Sequence, residues 1–227
     1  MHLTYYGHSC FQVDVAGKRL LFDPFITPNP SAAKVDITSL QPDYIFVSHG
    51  HFDHVADVEV IARQSGATIV ACFEVAEWFR AHGLEKTQAM NSGGTAKFNF
   101  GSVTFTNAIH SSSMPDGSYG GQPGGFLIKT AEGNFYYSGD TALHSDMKLL
   151  RCAEPLLFAV LCIGDHFTMG IQDAITAAEW IDCKEVIGAH YDTFPPIVID
   201  HADAQEYFKK AGLNLHLMPI GSILAFN

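Results

Sequence analysis

Short runs of apolar and β-branched residues open the chain at Thr4–Gly7, Phe11–Val15 and Arg19–Phe22, and Ala16-Gly17 makes a hairpin between the last two. Pro24, Pro28 and Pro30 then mark a loop. The apolar run Tyr44-Ile45-Phe46-Val47 follows, and Asp57-Val58-Glu59-Val60-Ile61-Ala62 has the spacing of a helix that ends near Gly66. A strand at Thr68–Ala71 and a helix through Val75–Ala81, stopped by Gly83, come next. Strands recur near Val103–Ile109, Phe126–Thr130, Asn134–Ser138, Phe158–Cys162 and Glu185–Ala189. Between and after them lie helical patterns near Asp146–Arg151, Gln172–Ile181 and Ala202–Ala211. Two β-rich halves, each finishing in helices, predict an α/β (α+β) fold: a four-layer αββα sandwich with two packed sheets and helices on both outer faces.

At 227 residues and 47% hydrophobic content, the chain supports one domain, 1–227, with a sizeable core. It contains no tandem repeat, low-complexity tract or block of like charge. A formal charge of −11 argues against nucleic acid as a partner, because phosphate backbones are gripped by Lys/Arg clusters. The start, Met1-His2-Leu3-Thr4-Tyr5-Tyr6, lacks a secretory pattern, and the longest apolar run, Leu156 to Ile163, is too short to span a bilayer. Cys10, Cys72, Cys152, Cys162 and Cys183 are odd in number and without a CxxC pair, which fits free thiols in a reducing cytoplasm.

Chemistry concentrates in Ser48-His49-Gly50-His51-Phe52-Asp53-His54, directly after the Tyr44–Val47 run. Three imidazoles and a carboxylate there are ligands that zinc and similar ions accept. His49 and His51 are two apart, so in an extended segment both rings leave the same side of the backbone. Gly50 lets the chain bend toward a metal. Asp53 and His54 fall where the chain turns into a helix, point differently, and can hold a second ion beside the first. The competing reading is a histidine-rich surface turn. Three more strand-like runs end in ligand-type residues: His110, then Asp140-Thr141, then His190-Tyr191. Each alone is as readily a structural polar residue; together they form a set.

In this order, from Asp23 after Leu20-Leu21-Phe22 through the 49–54 cluster to His110, Asp140 and His190, the chain resembles the metallo-β-lactamase superfamily. Gly7-His8-Ser9, Gly164-Asp165-His166-Phe167-Thr168-Met169 and Ala189-His190-Tyr191-Asp192-Thr193-Phe194-Pro195 make it similar to uncharacterised metal-dependent hydrolases distantly related to L-ascorbate 6-phosphate lactonase. The resemblance implies that His49, His51 and His110 hold one ion, that Asp53, His54 and His190 hold the other, and that Asp140 bridges them. It implies a supporting role for Asp23, as acceptor of a hydrogen bond from a ligand or its loop; the alternative is a plain turn before Pro24. Zinc suits this mixed nitrogen and oxygen set first, with manganese, iron or nickel as alternatives. The implied activity is hydrolysis of a small ester, lactone, thioester or phosphodiester by a metal-activated hydroxide. A metal-binding regulatory or scaffold protein is the rival reading. The aspartate at position 140, where antibiotic-hydrolysing relatives carry cysteine, and His51, where oxygen-reducing relatives carry glutamate, argue against those two chemistries.

His166 is a candidate proton donor to the leaving group, with Asp165 as donor or as the group orienting it; a loop-stabilising pair is the alternative. His8 reads as a buried, hydrogen-bonded structural residue, with substrate contact as the alternative. The glycine-, serine- and proline-rich segment from His110 to Gly125 is either a substrate loop or lid, or an ordinary surface connection. A homo-oligomer is compatible with the sequence.

Overall fold

The computed structural model describes residues 1–150 and 155–226. The chain builds β1 (His2–Gly7), β2 (Cys10–Val15), β3 (Lys18–Phe22), β4 (Tyr44–Val47), β5 (Thr68–Cys72) and β6 (Thr87–Met90). It continues with β7 (Thr95–Phe98), β8 (Gly101–Asn107), β9 (Gly124–Thr130), β10 (Gly133–Tyr137), β11 (Leu156–Cys162), β12 (Glu185–Ala189), β13 (Asn214–His216) and β14 (Ile223–Ala225). The helices are α1 (Phe52–Val55), α2 (Val58–Ser65), α3 (Phe73–Ala81), α4 (Ile171–Trp180) and α5 (His201–Lys210). A 3₁₀ turn at Ser145–Leu150 stands where a helix was expected to Arg151; Arg151 and Cys152 lie outside the described residues.

Two seven-stranded sheets result, ordered β14-β1-β2-β3-β4-β5-β6 and β13-β12-β11-β10-β9-β8-β7. Both follow one plan. From β14 to β3 and from β7 to β10 every pairing is antiparallel; from β3 to β6 and from β10 to β13 every pairing is parallel. Antiparallel neighbours need only tight turns, such as Ala16-Gly17 with φ of 50° and 69°, whereas parallel ones need the helical crossovers that cover the sheet.

Aromatic side chains lock the sheets face to face. Phe22 stacks on Phe11 and Phe46 within its own sheet and meets Phe135 and Tyr137 of the other edge-on, at 6.0 and 5.7 Å. Phe46 likewise meets Phe126 at 5.1 Å. Such offset and edge-on pairs add roughly 0.5–1.5 kcal/mol each beyond the area they bury. On one outer face, Val58, Ile61, Val75 and Phe79 bury the apolar stripes of α2 and α3. On the other, Ala174, Ala177, Ala178 and Phe208 of α4 and α5 pack on Leu161 and Ile163. The four layers are helix, sheet, sheet, helix. Cys10, Cys72, Cys162 and Cys183 are buried free thiols. No helix among the described residues is long and apolar enough to cross a membrane.

Candidate metal centre

Strand ends at one edge of the sandwich deliver the polar residues. Asp23 follows β3, His49 and His51 follow β4, Asp53 and His54 lie in α1, and His110, Asp140 and His190 follow β8, β10 and β12. Parallel strands point their carboxyl ends the same way, so their loops gather at one rim.

The structure brings His49, His51, Asp53, His54, His110, Asp140 and His190 together. His49, His51 and His110 offer ring nitrogens within 4.8 Å of one another, and His49 Nε2 lies 2.9 Å from His51 Nδ1. Asp53, His54 and His190, joined by His8, form a second such group. Asp140 lies between: its Oδ2 is 2.9 Å from His190 Nε2, 3.3 Å from His54 Nε2 and 3.7 Å from His110 Nε2. Gly139 makes that placement possible. Its φ is 59°, and a Cβ there would stand 2.4 Å from the Gly124 carbonyl oxygen.

Asp23 is a fully buried hub. Its Oδ1 accepts from the Ser48 amide at 2.8 Å; its Oδ2 accepts from Ser48 Oγ at 2.5 Å, Tyr137 OH at 2.6 Å and His54 Nδ1 at 2.7 Å. Because Ser48 spends its hydroxyl proton on Asp23, it accepts from His49 Nδ1 at 2.9 Å. Both rings therefore carry a proton on Nδ1 and turn Nε2 toward the centre, the orientation a metal ligand needs.

Two buried polar atoms at the centre, His54 Nε2 and Asp140 Oδ1, have no hydrogen-bond partner. Orphans of this kind cost about 1–3 kcal/mol each unless something occupies the space they face. The charges agree. Burial opposes ionisation of Asp53 and Asp140, yet the facing imidazoles of His54 and His190 outweigh it and hold both carboxyls well below the usual range. Burial would lower His190, but the Asp140 carboxylate prevails and raises it to about 9. His54 is driven upward for the same reason, whereas burial and the charge on His54 lower His49. A cluster whose carboxylates hold positive charge at its core has the donor set and electrostatics of a cation site, and these residues fit divalent metal.

The comparisons agree with this chemistry. A family model described as the β-lactamase superfamily domain matches residues 18–191. A UPF0173 metal-dependent hydrolase of Christiangramia forsetii is 50% identical over 222 residues, covering 97% of this chain and 98% of that protein. The chain belongs to the metallo-β-lactamase superfamily. Its Flavobacterium johnsoniae relative, also a UPF0173 metal-dependent hydrolase, is 47% identical over 97% of this chain and 98% of that one. Igni18, a metallo hydrolase from Ignicoccus hospitalis, shares the fold at a TM-score of 0.90 and 32% identity, covering 100% of this chain and 98% of its own. The protein is a metal-dependent hydrolase of this superfamily.

Around the hydrolase centre, the 110–125 segment is tied down at several points. Ser112 Oγ accepts from the Gly50 amide at 3.1 Å, Met114 is buried against Gly50, and Asp116 accepts from Trp78 Nε1 at 2.9 Å. Ser111 Oγ lies 3.4 Å from His51 Nε2. The segment thus forms a wall beside one histidine group. Asp165 and His166 sit elsewhere. Both are exposed with left-handed backbones, Asp165 Oδ1 accepts from the His166 amide at 2.8 Å, and the His166 ring packs edge-on against Phe167. They line a cavity of about 730 Å³ with α4 and the 196–200 segment, and backbone hydrogen bonds from Asp165 to Met169 and from Met169 to Thr141 tie their loop to the residue after Asp140. Sequence reasoning left Ser48 and Tyr137 without a role at the centre; for Thr193, which follows His190, it offered support of that loop. For Ser48 the available signal was its place inside the motif.

Proposed function

We propose that the protein hydrolyses a small ester, lactone, thioester or phosphodiester at a dinuclear centre. The observation that carries this reading is the division of the ligand-type residues into two groups that share Asp140. His49, His51 and His110 would hold one ion, Asp53, His54 and His190 the other, and Asp140 would bridge them. Zinc suits the donors best, with manganese, iron or nickel as alternatives. When bound, the pair of ions supplies an activated water as nucleophile and polarises the bond under attack. The chain's own residues contribute orientation: Asp23 and Ser48 fix two imidazole tautomers, and the tethered 110–125 wall excludes solvent on one side. An exposed Phe52 and a half-buried Phe194, both packed on Phe25, offer an apolar surface on the other side. Protonation of the leaving group by His166 or Asp165 would require the loop after β11 to move toward the centre. A small uncharged or anionic molecule, not nucleic acid, is the expected partner, given the net charge of −11.

Metal analysis of the purified protein, coupled to turnover on a panel of the four substrate classes, tests the proposal. Two ions per chain, and activity that chelation removes and metal restores, are expected. One ion per chain with full activity would overturn it.

A further inference from the structure

His8 is buried beside the second histidine group, with a backbone φ of 55° that residues other than glycine and asparagine rarely adopt. Its carbonyl accepts from the His190 amide and from Tyr5 OH, both at 3.0 Å. Its ring lies 5.5 Å from both Phe25 and Phe194 and 4.4 Å from His190. Its Nε2 is 3.0 Å from Asp53 Oδ2, and its Nδ1 is 2.9 Å from Thr193 Oγ1.

The tautomer follows from the partners. A carboxylate oxygen only accepts, so Nε2 carries the proton and donates it to Asp53. Nδ1 is then the acceptor and takes the Thr193 hydroxyl proton, in the shorter of the two bonds open to that hydroxyl, the other being to the Tyr191 carbonyl at 3.3 Å. Neither nitrogen has a lone pair left for the centre, in contrast to the orphaned His54 Nε2. Asp53 Oδ2 has two acceptor sites, so the bond from His8 leaves one facing His54 and His190, at 3.9 and 3.7 Å.

We propose that His8 is a positioning residue: not a ligand itself, it holds the Asp53 carboxylate in place and, through Thr193, couples that carboxylate to the loop carrying His190. The inference rests on the reading of Asp53 as a ligand. Three segments far apart in the chain, after β1, in α1 and after β12, thereby assemble one half of the centre together.

Cobalt(II) titration of the full chain, followed by its visible absorption and by chelator competition, tests this. His8→Asn keeps a residue that tolerates the left-handed backbone but is too short to reach Asp53; His8→Gln restores a donor at about the imidazole's reach. His8→Asn should weaken one of the two ions about 10–100-fold, the range found when such supporting partners are removed, and leave the other unchanged. His8→Gln should recover most of that loss with the wild-type absorption bands. Thr193→Val should weaken the same ion by less, with Tm as the check on folding. Equal failure of His8→Asn and His8→Gln, with altered bands, would make His8 a ligand and overturn the proposal. So would unchanged affinity in His8→Asn, whatever the stoichiometry. A wild-type protein that takes one ion instead refutes the dinuclear reading, and His8→Asn then still decides the role of His8 at the ion that remains.

Discussion

Replacing Asp23 by asparagine changes one atom at the hub and has nowhere harmless to put it. If the amide nitrogen takes the Oδ1 place, it confronts the Ser48 amide, a donor that cannot reverse. If it takes the Oδ2 place, the Ser48 and Tyr137 hydroxyls can rotate, but His54 can accept only by moving its proton to Nε2, which faces the centre. The first arrangement strands a buried N–H at a cost of about 1–3 kcal/mol. The second puts a proton where a metal would bind and should weaken metal 10–100-fold, which is roughly 1.4–2.8 kcal/mol. Either also forfeits charge-assisted hydrogen bonds, so the total is about 2–4 kcal/mol. At roughly 2–4 °C per kcal/mol for a chain of this size, Tm should fall by roughly 5–15 °C. Thermal unfolding with and without chelator, together with competitive metal titration, measures both effects. A variant with wild-type Tm and wild-type metal affinity would refute the argument that Asp23 sets the tautomer of His54.

Other outcomes follow from the same geometry. His51→Ala and Asp140→Ala should cut turnover at least about 1000-fold and lower bound metal while circular dichroism stays native; retained activity with two ions would exclude their assignment. Gly139→Ala forces a side chain onto a backbone at φ 59° and against the Gly124 carbonyl, so it should cost about 1–3 kcal/mol and reduce metal content by displacing Asp140, as Tm and metal analysis would report. In metal-stripped protein, the folded pKa of His190 is about 9 against 6.5 unfolded, so its contribution is complete below pH 6.5 and is lost as pH rises through 9. Tm should therefore drop across that window by the equivalent of up to about 3 kcal/mol, and metal should abolish the drop by displacing the proton. A flat profile in the chelated protein would contradict this.

Much of the fold was legible because its parallel strands are continuous apolar runs, as Leu20-Leu21-Phe22 and Tyr44–Val47 are, and because helices such as α4 carry a regular apolar stripe. The strands that escaped notice were β6, β7, β13 and β14. Each is only three or four residues long and partly exposed, so pairing with a neighbour, not local pattern, makes them strands. The ligand-type residues were readable because each stands just past a run of β-type residues. Tyr137 was not: what it does depends on Asp23, which is 114 positions away in the chain. His166 shows the converse, a persuasive local pattern that the tertiary structure turns outward.

The shared plan of the two sheets gives His166 a meaning of its own. By rank, β1 corresponds to β8, β3 to β10 and β4 to β11. Counted from the last residue of β4 and of β11, His51-Phe52 and His166-Phe167 fall at the same step. His8 and Asp23, each one residue past β1 and β3, and His110 and Asp140, each three residues past β8 and β10, follow corresponding strands without keeping the same step. The twin scaffold is therefore unequally furnished: corresponding strands deliver His110 and Asp140 to the cluster in the second half, and His8 and Asp23, bonded to Asp53 and His54, in the first. Past β4 the chain places its histidines in the cluster, and past β11 the matching histidine looks onto a separate hollow.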